Sequence, residues 1–210
     1  MLISGLNSRA QVPGDKMIFT LDKNKTALLI MDYQAAIVDM VPEGSQALLE
    51  KAAQALAAAR STGVRVIYVV LGFRPGHPEV SPSNKSFRAL RESGRFAPGS
   101  PGTGIHPAVA PLAGESIAIK HRVSGFSGSD LDMLLRAGGI DTLVLAGIAT
   151  SGVVLSTLRQ AADLDFRLAV LKDACADMDP GVHAMLMDKV YPRQAEVMDV
   201  DVFVAALAGI

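Results

Sequence analysis

Short apolar runs alternate with longer stretches of helical period along most of this 210-residue chain. TALLIMD at 26–32 is a bounded apolar run ending on a carboxylate, the pattern of a strand buried on both faces of a parallel sheet. QALLEKAAQALAAARSTG at 46–63 has helical period and closes on Gly63, a favourable C-terminal stop. VRVIYVVL at 64–71 and SIAIKHR at 116–122 predict the second and third strands. Beyond them the alternation predicts helix 129–137, strand 141–149, helix 152–162, strand 167–174, helix 180–190 and strand 196–200. This is the signature of an α/β chain: a three-layer, Rossmann-like fold with a six-stranded, mostly parallel sheet and helices on both faces. No GxGxxG turn follows the first strand, so the pattern does not predict a dinucleotide cofactor.

The length fits a single domain over 1–210, with a polar N-terminal arm at 1–24. Between 72 and 115 the segments GFRPGHPEVSPSNKS and FAPGSPGTGIHPAVAP forbid most regular structure. A loop this long inside a compact domain predicts a lid or a binding wall, with one or two helical turns at 86–93 around FRALRE.

Composition removes several function classes. Half of the residues are hydrophobic, a fifth are charged and the net charge is −1, which describes an ordinary globular protein. Basic residues are scattered rather than striped, which argues against nucleic acid. The longest apolar runs are too short for a bilayer, and the N-terminal residues do not form a signal-peptide core, so no membrane partner is expected. One cysteine, Cys175, cannot form an internal disulfide and suits a reducing cytoplasm.

In open parallel sheets ligands bind beyond the carboxyl ends of the strands, where the strand order reverses. That rule selects Asp32 at the end of the first strand, Lys120 near the end of the third, and AGIATSGVV at 146–154, where the fourth strand turns into a helix. A carboxylate and an ammonium held together in a partly dry pocket keep each other charged, and a helix start adds N–H donors for an oxyanion. TALLIMDYQ, IAIKHRVSGFSGSDLDMLLRAGGIDTLVLAGIATSGVV and LAVLKDACAD, in this order, resemble the isochorismatase-like hydrolases of the cysteine hydrolase superfamily over about residues 26–190. The resemblance implies an acidic triad member at Asp32, a basic one at Lys120 and a nucleophile at position 153. It also implies a non-proline cis peptide at Ala149–Thr150, in a turn with Ser151 and Gly152 that presents donors to the ligand. The departure is at the nucleophile: where the cysteine hydrolases read G-[VI]-x-T-x-x-C-V, this chain reads GIATSGVV, so Val153 stands in the cysteine's place. Valine cannot form a covalent intermediate.

Each candidate has a plainer reading. Asp32 could cap a helix starting at Tyr33, Lys120 could reach water from a sheet end, and Thr150 and Ser151 could be capping hydroxyls. Arg74 and Phe126 are weaker substrate-facing candidates from the lid and from the turn after the lysine strand. Cys175 reads as a buried structural thiol. No metal is expected, because His77, His106, His121 and His183 lack ligand spacing, and Asp173, Asp177 and Asp179 read as capping the helix at Pro180. Two functions follow: hydrolysis of a small amide, ureido or vinyl-ether substrate by Asp32, Lys120 and water without a cofactor, or a catalytically inactive member that binds small molecules or assembles. Serine chemistry at Ser151 is a third, poorly spaced option. The apolar tail VFVAALAGI and the middle loop predict a homodimer or higher homo-oligomer.

Overall fold

The computed structural model describes residues 21–42 and 45–209, so most of the arm expected at 1–24 lies outside the described residues. Strands β1 (Thr26–Met31), β2 (Arg65–Leu71), β3 (Ser116–Lys120), β4 (Thr142–Ile148), β5 (Arg167–Ala176) and β6 (Glu196–Met198) form one sheet. Their order is β3-β2-β1-β4-β5-β6, and every neighbouring pair is parallel. The chain moves outward from β1 to β3, then crosses back to place β4 on the other side of β1. The order therefore reverses between β1 and β4, where ligand sites of such sheets form.

β1 and β4 are buried along their whole length because both faces are covered. Alternate residues serve different layers. Leu28, Ile30, Val144 and Ala146 pack with helix α2 (Ser45–Thr62), and Ala27, Leu29, Leu143 and Leu145 pack with helices α4 (Leu131–Ala137) and α5 (Leu155–Asp163). Gly63, at φ 79°, takes the left-handed conformation that ends α2, and Val64 N–H donates back to Ala59 O at 2.9 Å.

The C-terminal run forms a helix, Val200–Leu207, packed on α2, with Val202 exposed and Phe203 and Leu207 in the core. Each such core side chain stabilises the fold by roughly 1.5–3 kcal/mol. The expected strand at 116–122 stops at Lys120, and the expected helix at 152–162 begins only at Leu155.

The long loop does contain a helix, α3 (Lys85–Glu92), capped by the Asn84 side chain, which accepts from Phe87 N–H. Its later part is stitched to the segment after β1. Gly104 O and Gly102 O accept from Ala35 N–H and Ala36 N–H at 3.0 Å each, and Tyr33 O accepts from His106 N–H at 2.8 Å. Gly102 is required there, since a Cβ would lie 2.7 Å from Ala36 Cβ. The wall beside the carboxyl edge of the sheet is thereby fixed to β1.

Candidate active site

Asp32 follows the last residue of β1 with φ 58°, a left-handed conformation that aspartate tolerates better than most residues. Its N–H donates to Val69 O at 2.8 Å, which ties the bend to β2. The first short helix, Ala35–Val38, starts after Gln34 and has no side-chain cap, so Asp32 does not cap a helix at Tyr33. Lys120 ends β3, two strands away, and its long side chain crosses the sheet edge: Nζ lies 2.9 Å from Asp32 Oδ2 and donates to Arg122 O at 3.1 Å. The side chains are 7% and 3% exposed, so the pair is dry.

The two carboxylate oxygens of Asp32 differ. Oδ2 meets Lys120, whereas Oδ1 is buried without a hydrogen-bond partner among the described residues. Burial pushes the Asp32 carboxyl above its ordinary value of 3.8, and the charge and hydrogen bond of Lys120, with a weaker contribution from the Leu71 backbone N–H, offset this only in part. An unpaired buried carboxylate oxygen is costly unless something donates to it.

β4 delivers the other half of the site. Met31 and Gly147 are register partners, so Asp32 and the turn after β4 leave neighbouring strand ends. A side chain at Gly147 would crowd Met31 and Val154 at 3.0 Å, which explains the glycine. The non-proline cis bond lies at Ile148–Ala149, one residue before the expected Ala149–Thr150. The segment Thr150–Val154 is a widened turn with non-helical angles at Gly152. Val153 is buried in the apolar layer that includes Met31 and Phe126.

The turn's polar groups are largely committed. Ser151 N–H donates to Asp177 Oδ2 at 2.6 Å, and Gly152 and Val154 N–H groups donate to Ala149 O at 3.1 and 3.3 Å. The Thr150 hydroxyl does not cap the helix but meets His183 Nδ1 at 2.8 Å, and Ser151 is exposed. Of the donors expected at 150–153, those of Ser151 and Gly152 already have internal acceptors.

Arg74 and Phe126 take no part in the ion pair. The Arg74 side chain is 67% exposed, with its guanidinium 3.6 Å from Glu79. Phe126 is a core residue with its ring 6.1 Å from that of Phe166. Cys175 is buried, and burial pushes its thiol up to about 12, as suits an unreactive structural thiol. The acidic cluster divides: only Asp179 caps the helix at Pro180, accepting from Gly181 and Val182 N–H, while Asp177 holds the turn and Asp173 accepts from Val200 N–H. Among the described residues, no group of three or more His, Cys, Asp and Glu side chains is placed to hold a metal ion. No helix among them is long and apolar enough to cross a membrane.

The sequence reading passed over Gln34 and Tyr191 and weighed His183 only as a metal ligand. Gln34 is buried and spans two segments: Nε2 donates to Leu71 O and Thr103 O, and Oε1 accepts from Leu71 N–H. Its position in DYQ just after β1 was the one signal; nothing in the spacing marked the other two.

A parallel α/β sheet whose charged pair and irregular turn meet at the reversal of strand order belongs to the α/β class that carries its functional groups on the carboxyl edge. The isochorismatase domain family matches residues 26–202, and the chain belongs to that family. It is 30% identical to ureidoacrylate amidohydrolase RutB of Methylorubrum extorquens over 98% of this chain and 92% of that one. A cysteine hydrolase structure from Pseudomonas syringae superposes with a TM-score of 0.83 at 22% identity, covering 91% and 96% of the two chains, and shows the fold. N-carbamoylsarcosine amidase of Thermoplasma acidophilum has a TM-score of 0.69 at 30% identity, with 84% and 97% covered.

Proposed function

We propose that this isochorismatase-family chain hydrolyses a C–N bond of a small amide or ureido substrate, using water where the family's cysteine hydrolases use a thiol. One observation carries the reading: Asp32 is buried with Oδ2 on Lys120 and Oδ1 free to accept a proton. A water donating to Oδ1 would lose its proton to the carboxylate as it attacks the carbonyl carbon, and Lys120 would keep the charge at that corner favourable. The proton then passes to the leaving nitrogen. Val153, at the position of the family's nucleophile, leaves no route to a covalent intermediate. The names of the ureidoacrylate and N-carbamoylsarcosine relatives support the substrate class.

A different observation favours the inactive alternative, a small-molecule binding or assembly protein: Val153 is packed in the core and the turn spends N–H groups internally. Screening amides, ureido compounds and vinyl ethers with the purified protein and Asp32→Ala separates the two. Hydrolysis is expected to fall about 100-fold or more in the variant; equal turnover, or none on any substrate, overturns the proposed reaction. A Val153→Cys variant sharpens the result, since a thiol at the position of the family's nucleophile is expected to become alkylatable and to raise turnover.

A further inference from the structure

The turn after β4 is gripped from outside by side chains from a single later stretch of the chain. Asp177, just past β5, accepts from Ser151 N–H at 2.6 Å. His183, on the helix Pro180–Met185, places Nδ1 2.8 Å from Thr150 Oγ1. Tyr191, fully buried, donates its hydroxyl to Thr150 O at 2.6 Å. Thr150 is itself completely buried, so its carbonyl and its hydroxyl each have one of these later side chains as partner.

We propose that Asp177, His183 and Tyr191 are positioning residues that set the shape of the Thr150–Val154 turn, with His183 held as a neutral imidazole whose Nδ1 accepts the Thr150 hydroxyl. A buried hydroxyl must donate somewhere, and Nδ1 is the acceptor within reach. Which imidazole nitrogen carries the proton follows from that bond, leaving the N–H on Nε2. Burial lowers the affinity of His183 for a second proton; Lys172 acts in the same direction, and Asp177 and Asp188 oppose it. Lys51 and Asp173 are the other charged groups lining the cleft that His183 shares with Asp177. When His183 is protonated, both ring nitrogens become donors, the Thr150 hydroxyl must reverse, and its hydrogen loses its buried acceptor. Acid therefore loosens the turn at its Thr150 end. Tyr191 is suited to its part because a buried phenol with a satisfied hydroxyl is a rigid strut.

Nitrogen-15 NMR of the 210-residue chain tests this without any turnover. His183 Nδ1 is expected to report an unprotonated, hydrogen-bonded nitrogen at neutral pH, and the amide signals of residues 151–154 should move with the midpoint of His183. His183→Asn, whose amide carbonyl can replace Nδ1 as acceptor, should keep those signals in place, and His183→Leu should displace them. A protonated Nδ1 at neutral pH overturns the proposal, as do amides indifferent both to the His183 titration and to His183→Leu. If His183→Leu fails to fold, Thr150→Val and the wild-type titration carry the same test. The link to catalysis rests on the hydrolase reading above: with a substrate in hand, His183→Leu should lower kcat about 100-fold with KM nearly unchanged, and His183→Asn should recover most of it. Absence of hydrolysis would sink that reading alone, because the NMR outcome does not depend on it.

Discussion

Strand β3 carries an ion pair at each end, and the two are built differently. Before its first residue, Glu115 meets Arg60 of α2 through both carboxylate oxygens at 2.8 Å, and Arg60 also donates to Tyr68 Oη and Ala110 O while Leu112 N–H donates to Glu115 Oε2. Both carboxylate oxygens of Glu115 are in use. At its last residue, Lys120 meets Asp32, which is more deeply buried and keeps one oxygen without a partner among the described residues. The first pair fastens a helix and a loop to the edge of the sheet. The second leaves a buried acceptor that a ligand or water could satisfy.

The comparison breaks most sharply if Lys120 is dispensable. Lys120→Met should cost about 3–5 kcal/mol of stability in urea unfolding, because it strands a buried carboxylate; a loss below 1 kcal/mol would mean that the pair is open to water. Glu115→Gln should cost less, about 2 kcal/mol, since Arg60 keeps its bonds to Tyr68 and Ala110 and can reach solvent. The smallest effect is also the most discriminating, because the pH dependences have opposite sign. Burial pushes the Glu115 carboxyl up, but Arg60 and the Leu112 N–H outweigh it and leave it below its ordinary 4.5. Its contribution is present above that value and is lost as pH falls through the lowered folded value. Asp32 is raised above 3.8, so its contribution is present below 3.8 and is lost as pH rises through the folded value. Unfolding curves taken through the acid range should therefore show the stability advantage of wild type over Glu115→Gln growing with pH. Relative to Asp32→Asn, wild type should lose ground over the same range. Slopes of the same sign would remove the distinction between the pairs.

Much of this was legible in the chain. Apolar runs such as TALLIM and TLVLAGI are fully buried strands because a parallel sheet covered on both faces needs no alternation. Asp32 and Lys120 could be singled out because both sit where such strands end, and the structure brings them together. The tail at 202–209 could be read as apolar but not placed, since an apolar segment reads the same whether it faces a partner or folds back on its own α2. The position of the cis bond was displaced by one residue, because the family likeness locates the turn and only coordinates locate the bond within it.

By itself, then, the amino-acid order determined the layer architecture, the family and the two charged residues, all of which follow from local periodicity and from motifs short enough to read along the chain. Tertiary structure alone decided that one oxygen of Asp32 would have no partner among the described residues, that internal acceptors would take N–H groups of the turn, and that Asp177, His183 and Tyr191 would hold it. Hydrogen bonds between residues 26 to 41 positions apart depend on distance and direction in space, which no linear pattern encodes.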